Sequence, residues 1–370
     1  MGGQTSGGSQ RRAESLSMPD RSVSRGPAPR CSLCESENTG LVYVQTEAYR
    51  NQQFLACEAD GFGDKDGRCL YYCRNCGLTF RRPLNLSQTR ENYATRHQRS
   101  DDEIEAWIRK SFDEDSNANR RIESAIEWIG RKIDVASAGN PRTMLDVGCR
   151  EGYAVRRFQS LGWNAVGIDP TKSIVNVLTS RFGFDVKEGF YNRESFPAES
   201  FDLIFASEVV HRIDDVRSFF ADVHHHLKSD GVLFVHFSNV FDVKLNYFTE
   251  AHRRYFSKST LEQAASHFGL GPVCVAREPL RMKAQYSGGL WGLFRKGHPR
   301  IDGFSNLDDF YRVQKCLIGV DFDLSWGRLN PDSVFMGMLQ NLIGHGWRGP
   351  ARKAVEFRSR LRSKLGSARH

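Results

Sequence analysis

The 370-residue sequence has no run of 18 uncharged apolar residues, which excludes a helix spanning a bilayer. It lacks the G-x-x-x-x-G-K-[ST] segment of a triphosphate-binding loop, and its best glycine loop lacks the G-x-G-x-x-G spacing of a dinucleotide site. No internal repeat is present. Nine cysteines are too few to make a chain of this length a disulfide scaffold. The arginine pair Arg11-Arg12 is not followed by an apolar stretch, so no export signal is expected. Residues 1–30, rich in Gly, Ser, Pro and Arg, read as disordered, in preference to a myristoylated start.

What is present is an ordinary soluble composition, 39% hydrophobic and 26% charged. The formal net charge of +8 points at first to nucleic acid or an anionic surface. Its distribution changes that meaning. Residues 1–30 carry +3 and residues 348–370 carry +7, which leaves −2 for the body between them. The basic character therefore belongs to the ends, and a small-molecule partner is expected over nucleic acid.

Residues 31–83 hold Cys, Gly and aromatic residues with few aliphatic ones, too little for an independent core, and a metal would substitute for it. Residues 84–140 turn helical, with Ile122, Ala125, Ile126, Ile129 and Ile133 on one face, and read as a helical linker. From Pro141 the runs TMLDVGC (143–149), NAVGID (164–169), FDLIFAS (201–207) and GVLFVHFS (231–238) read as strands. Val216, Phe219, Phe220, Val223 and Leu227 form the inward stripe of a helix between the last two. Strand alternating with helix predicts an α/β fold with a parallel sheet covered on both faces. Residues 298–347 are expected to be a helical extension, with helices near 307–317 and 331–343, and 348–370 a basic helical tail.

The strongest chemical signal is LDVGCREGYAV (145–155), a strand ending in an acid, then glycines, then a helix start. Gly148 lets the backbone turn and approach a ligand, and Gly152 lets the helix pack against the strand. Asp169 ends the next strand about 20 residues beyond the loop, where a carboxylate can accept from two ribose hydroxyls.

On these residues the chain resembles the class I S-adenosylmethionine-dependent methyltransferase family, whose first motif runs D-x-G-x-G-x-G. SFDLIFASEVV is similar to the family's fourth-strand segment, HHHLKSDGVLFVHFSN to its fifth, and HRRYFSKSTLEQAASHFGL to the segment before the sixth in the small-molecule branch. The resemblance spans residues 141–297. It implies a Rossmann-like seven-stranded methyltransferase sheet with one antiparallel edge strand, and S-adenosylmethionine held by Asp146, Gly148, Gly152, Asp169 and Ser207. Arg150 replaces the family's middle glycine; its side chain either crowds the methionine part of the cofactor or points to solvent, and the second is expected.

Cys31-Ser-Leu-Cys34 and Cys73-Arg-Asn-Cys76 are two C-x-x-C knuckles separated by 38 residues. Four thiolates would close a tetrahedral Zn2+ site, structural rather than catalytic, in a small N-terminal zinc-ribbon-like module over 31–83. Cys57 and Cys69 remain alternatives as ligands or as plain thiols. Sugar C-methyltransferases and certain ribosomal RNA guanine methyltransferases carry such a module.

Methyl transfer needs a positioned acceptor and, for an oxygen or acidic-carbon nucleophile, a base. His211 follows the fourth strand, where the small-molecule branch shows S-E-V-x-E-H and this chain has Ser207-Glu208-Val209-Val210-His211. His252 and Tyr255 stand in EAHRRYFS, which is similar to the H-E-H-x-x-Y-F-S segment of sugar C-methyltransferases, with Ala251 for the glutamate. His211, His252 and Tyr255 are thus the catalytic candidates. His224 to His226 cannot converge on one ion from one helix and read as a solvated surface. Cys149 reads as a small packing residue.

These readings point to a cytoplasmic enzyme methylating a small molecule such as a nucleotide-linked sugar, a glycan or a secondary metabolite. An RNA methyltransferase and a catalytically silent cofactor-binding scaffold stand as alternatives. Against RNA stand the acidic body and the missing D/N-P-P-[FYW] signature. For the tail, plain solvation is expected, with anionic lipid or RNA contact as alternatives.

Overall fold

The computed structural model describes residues 28–44, 69–81, 99–113, 116–133, 141–213, 215–241, 252–278, 289–307, 312–314 and 317. Three short strands come first, β1 (Thr39–Val44), β2 (Cys69–Cys73) and β3 (Thr79–Arg81), then two helices, α1 (Asp101–Asp113) and α2 (Asn117–Gly130). The apolar runs then alternate with helices as the sequence pattern predicts. The order is β4 (Thr143–Val147), α3 (Tyr153–Ser160), β5 (Asn164–Asp169), α4 (Lys172–Phe182), β6 (Val186–Glu188) and β7 (Phe201–Ser207). It continues with α5 (Val216–His226), β8 (Leu227–Ser238), β9 (Arg254–Tyr255), α6 (Lys258–His267), β10 (Leu270–Arg277) and β11 (Gly289–Lys296).

Seven strands form one sheet in the order β10-β11-β8-β7-β4-β5-β6. The strands β8, β7, β4, β5 and β6 pair in parallel, while β11 is antiparallel to both of its neighbours. The antiparallel strand is therefore not the edge strand that the resemblance led one to expect. The crossover from β8 through α6 to β10 leaves a gap one strand wide, and β11 returns from β10 to fill it.

Side chains alternate across this sheet, as the strand period of two requires. On one face Met144, Leu203, Phe205 and Phe234 pack with α1, α2, α3 and α4 through Ile108, Ala125, Phe158 and Leu178. On the other, Leu145, Ile204, Ala206 and Val235 pack with α5 and α6 through Phe220, Val223, Leu261 and Ala264. The cysteine-rich strands join this second face, where Leu33, Tyr71, Leu78 and Phe80 share its core. A segment too poor in aliphatic residues to fold alone thus borrows the core of the domain. Its sheet, β1-β2-β3-β9, is closed by a strand from the far side of the chain.

Local chemistry sets the helix starts. Asp215 caps α5 by accepting from the backbone N–H of Ser218 (3.0 Å), and Ser257 caps α6 by accepting from that of Thr260 (3.1 Å). His226 corrects the solvated reading of the histidine run. It is fully buried, with Nδ1 2.7 Å from the Tyr191 hydroxyl and Nε2 3.1 Å from the Arg193 carbonyl. The third histidine turns inward because the chain leaves α5 directly into β8.

No helix among the described residues is long and apolar enough to cross a membrane. Cys57, the whole of the basic tail and the expected helix at 331–343 lie outside the described residues, as does most of that expected at 307–317. Phe158 is fully buried between Trp163 and Phe205. Phe158→Ala is expected to lower the unfolding free energy by about 3–5 kcal/mol, measured by urea titration; a loss below about 1 kcal/mol would contradict this packing.

Candidate active site

The chain leaves β4 and must turn at once into α3. Gly148 adopts φ +74°, and a Cβ there would lie 2.6 Å from Val209 Cγ2, so conformation and space both require glycine. Gly152, at φ +75°, is the residue before α3, and a Cβ would press to 3.1 Å from Leu178 and Phe184. The loop therefore runs close under the carboxyl end of β4. That strand has β5 on one side and β7 on the other, the switch point where open α/β sheets bind their ligands.

Asp169 ends β5 and is 6% exposed. Its Oδ2 accepts from the backbone N–H of Arg150 (3.0 Å) and its Oδ1 from that of Thr171 (2.9 Å). Each oxygen keeps further acceptor capacity for ligand hydroxyls. Arg150 has φ +46°, a left-handed conformation that costs a residue with a side chain about 1–2 kcal/mol. Its side chain leaves the loop: the guanidinium lies 5.2 Å over the Trp107 ring of α1, and Nε is 3.3 Å from Glu151 Oε2. The side chain is 62% exposed, so it turns outward. Cys149 faces Gly167, where a Cβ would come within 2.7 Å of its sulfur, and it packs as a small residue.

Burial, then the charges of Asp169 and Glu151, push the Asp146 carboxyl up to about 8. Three acidic groups thus converge on the loop, a setting that favours a cationic ligand.

The opposite wall of the cleft is built from the ends of β7, β8 and β10. His211, in a single 3-10 turn after β7, and His252, just before β9, are 0% and 2% exposed and meet edge-on with ring centroids 4.1 Å apart. Glu208, held at φ +62°, offers an oxygen within 4.8 Å of a nitrogen of each. These three groups have the make-up of a metal site. However, the Arg212 guanidinium donates to His211 Nε2 at 3.2 Å and already brings positive charge to that atom. Burial, then His252 and Arg212, hold His211 well below the usual histidine range, so it is neutral at pH 7.

Four further residues complete the wall, and the sequence reading missed them. His236 of β8 is 1% exposed; its Nδ1 lies 3.1 Å from Glu208 Oε1 and 3.3 Å from Ser207 Oγ, and its Nε2 lies 3.8 Å from Glu278 Oε2. Arg121 of α2 donates to Glu278 Oε1 at 2.8 Å. The signal for His236 was its place as the one polar interruption of GVLFVHFS. Glu208 stood beside the candidates, while Arg121 and Glu278 carried no local signal. Tyr255 is buried in β9, where its hydroxyl meets Arg81 and burial raises its pKa.

The four cysteines do converge. The sulfurs of Cys31 and Cys76 are 3.6 Å apart, those of Cys34 and Cys73 are 3.4 Å apart, and all four lie within 4.8 Å of one another. A tetrahedron of thiolates around zinc, with bonds of about 2.3 Å, has edges of about 3.8 Å, so the set fits that ion. Disulfides, with sulfurs about 2.05 Å apart, are excluded. The two knuckles have the same backbone. Glu35 N donates to Cys31 O at 3.0 Å and Gly77 N to Cys73 O at 2.9 Å, and Glu35 and Gly77 are both left-handed. Cys69 opens β2, at the other end of that strand from Cys73.

Residues 116–275 match a family model described as a methyltransferase domain. The uncharacterized methyltransferase YcgJ of Bacillus subtilis is 32% identical over 114 residues, covering 28% of this chain and 44% of that protein. A ubiquinone biosynthesis O-methyltransferase of Rhodopseudomonas palustris is 31% identical over 98 residues, covering 25% of this chain and 38% of that protein. The chain thus spans less than half the length of these curated relatives. Among solved structures, the 1,6-didemethyltoxoflavin-N1-methyltransferase of Burkholderia thailandensis, with bound 1,6-didemethyltoxoflavin and S-adenosylhomocysteine, is similar at 19% identity and a TM-score of 0.42. That match covers 59% of this chain and 95% of the other.

The raised Asp146 carboxyl has a consequence for stability. Its unfolded value is 3.8 and its folded value about 8, so the folded chain binds the proton more tightly. Its contribution is full below pH about 4 and is lost as pH rises to about 8. Asp146→Asn is therefore expected to gain in melting temperature over the wild type as pH rises through that window. A difference that does not change with pH would contradict the assignment.

Proposed function

We propose, from the premise that residues 116–275 form a class I methyltransferase domain, that the chain transfers the methyl group of S-adenosylmethionine to a small molecule. The observation that carries the reading is the Asp169 carboxylate, fixed by two backbone N–H groups beside a glycine turn at the sheet's switch point. S-adenosylmethionine supplies an electrophilic methyl on a sulfonium. Asp169 accepts from its ribose hydroxyls, Gly148 and Gly152 allow close approach, Asp146 faces its positive charge, and Ser207 lines the cleft beyond.

On the acceptor side, Nε2 of His211 is engaged by Arg212, so the fitting tautomer carries its proton on Nδ1, which has no hydrogen-bond partner in the structure. His211 is thus set to donate to the acceptor, and His252 beside it to remove a proton from the nucleophile. Neither histidine is more than 2% exposed, an enclosure that suits a small acceptor better than a polymer. The relatives named for ubiquinone biosynthesis support the same class. A nucleotide-linked sugar, a glycan and a secondary metabolite all satisfy it. The four cysteines would hold a structural Zn2+ with no open position. As free thiols paired at metal distances they suit the reducing cytoplasm.

Titration calorimetry is expected to show S-adenosylmethionine binding to the wild type, weakened at least ~10-fold in Asp169→Ala, as loss of charge-assisted hydrogen bonds implies. Absence of binding to the wild type would remove the reading. With a labelled methyl donor and cell extract, label is expected in small metabolites and to survive ribonuclease; label in RNA would favour the alternative acceptor. Metal analysis is expected to give about one zinc per chain, and a metal-free folded chain would overturn the tetrathiolate assignment.

A further inference from the structure

His252 is one of the two histidines of the acceptor cleft, yet part of what holds it in place comes from the cysteine module. The strand β3 leaves the second knuckle three residues after Cys76 and pairs antiparallel with β9, Thr79 against Tyr255 and Phe80 against Arg254. Arg81, at its end, is fully buried; its backbone N–H donates to the Arg253 carbonyl at 2.8 Å and its Nε to the His252 carbonyl at 3.1 Å. The chain then passes straight to the other histidine, because the Arg253 N–H donates to the carbonyl of His211 at 2.8 Å. The knuckles are tied to the same segment from behind. Thr260 Oγ1 donates to the Cys76 carbonyl (3.2 Å) and Arg254 Nε to Ser32 Oγ (3.2 Å).

The geometry points to Arg81 as a positioning residue that carries the fold of the four-cysteine centre to the His252–His211 pair. The N-terminal module would then be a working part of the acceptor site, and not an appendage to it. The physical ground is that His252 sits where the chain has almost no regular structure of its own: the adjoining strand is two residues long. Its main chain is tied to Arg81 on one side and, through the Arg253 N–H, to His211 on the other, so the ring contact depends on Arg81 as well as on the His211 turn. The cofactor loop shares none of these bonds, since Gly148, Arg150 and Asp169 are held by β4 and β5. Disturbing Arg81 should therefore separate the two halves of the cleft. This inference rests on reading that cleft as the acceptor site.

The test uses the full chain with nitrogen-labelled histidine and S-adenosylhomocysteine as the probe ligand. In wild type the imidazole signals of His211 and His252 should carry the shifts of two buried rings in edge contact. Arg81→Met is expected to move both signals toward those of free imidazole and to raise amide exchange over residues 252–256 at least tenfold. Affinity for S-adenosylhomocysteine should change less than threefold. Arg81→Lys, which keeps the charge and a donor, should restore the signals at least half-way. Cys34→Ser, which acts on the knuckle without touching the seam, should repeat the Arg81→Met pattern. Unchanged histidine signals in Arg81→Met would overturn the proposal, as would cofactor affinity falling in step with them in Arg81→Lys and Cys34→Ser. If the wild type binds no S-adenosylhomocysteine, the methyl-transfer reading fails on its own, and the histidine signals and exchange rates still decide the role of Arg81.

Discussion

The carboxylate of Asp169 holds the glycine-loop side of the cleft together. One oxygen takes the backbone N–H of Arg150 and the other that of Thr171, so two loops leaving adjacent strands are pinned to one rigid group. The left-handed turn at Gly148, the left-handed Arg150 and the start of α3 at Gly152 all lie on the loop that this carboxylate pins at the Arg150 N–H. A charged acceptor of backbone N–H groups is worth more here than on the surface, because Asp169 is almost fully buried.

Placing acid there has a cost that the rest of the loop shares. Burial, and after it the charges of Asp169 and Glu151, raise the affinity of Asp146 for its proton. The unliganded cleft is thus an unfavourable place for negative charge, and a cation would relieve it. On the histidine side the balance runs the other way: burial keeps His211 and His236 neutral, with Glu208 between them, Glu278 at the far nitrogen of His236 and Arg121 closing the row.

Much of this was legible in the sequence. The alternation of apolar runs and amphipathic stripes located β4, β5, β7 and most of β8 but not the short β6, and the glycine loop with Asp169 stood out because its glycines have a local conformational job. The two knuckles were legible for the same reason, since spacing alone brings each pair of thiols to one side. What escaped depends on contacts far apart in the chain. Arg121 and Glu278 meet across 157 residues, and nothing near either one announces the other. Tyr255 stood out from its motif, but its strand pairing with β3 could not be read from anything nearby in the chain. The position of β11 was missed because local pattern identifies a strand without its neighbours.

The pairing of β3 with β9 also sets a timetable. Arg81 and His252 are 171 residues apart, so the knuckle strand cannot find its partner until that much more chain has left the ribosome. At synthesis rates of about 5–20 residues per second this is a delay of roughly 10–35 s. During it the thiols of Cys31, Cys34, Cys73 and Cys76, most of them buried in the finished fold, stand open to oxidants and to whatever metal is at hand.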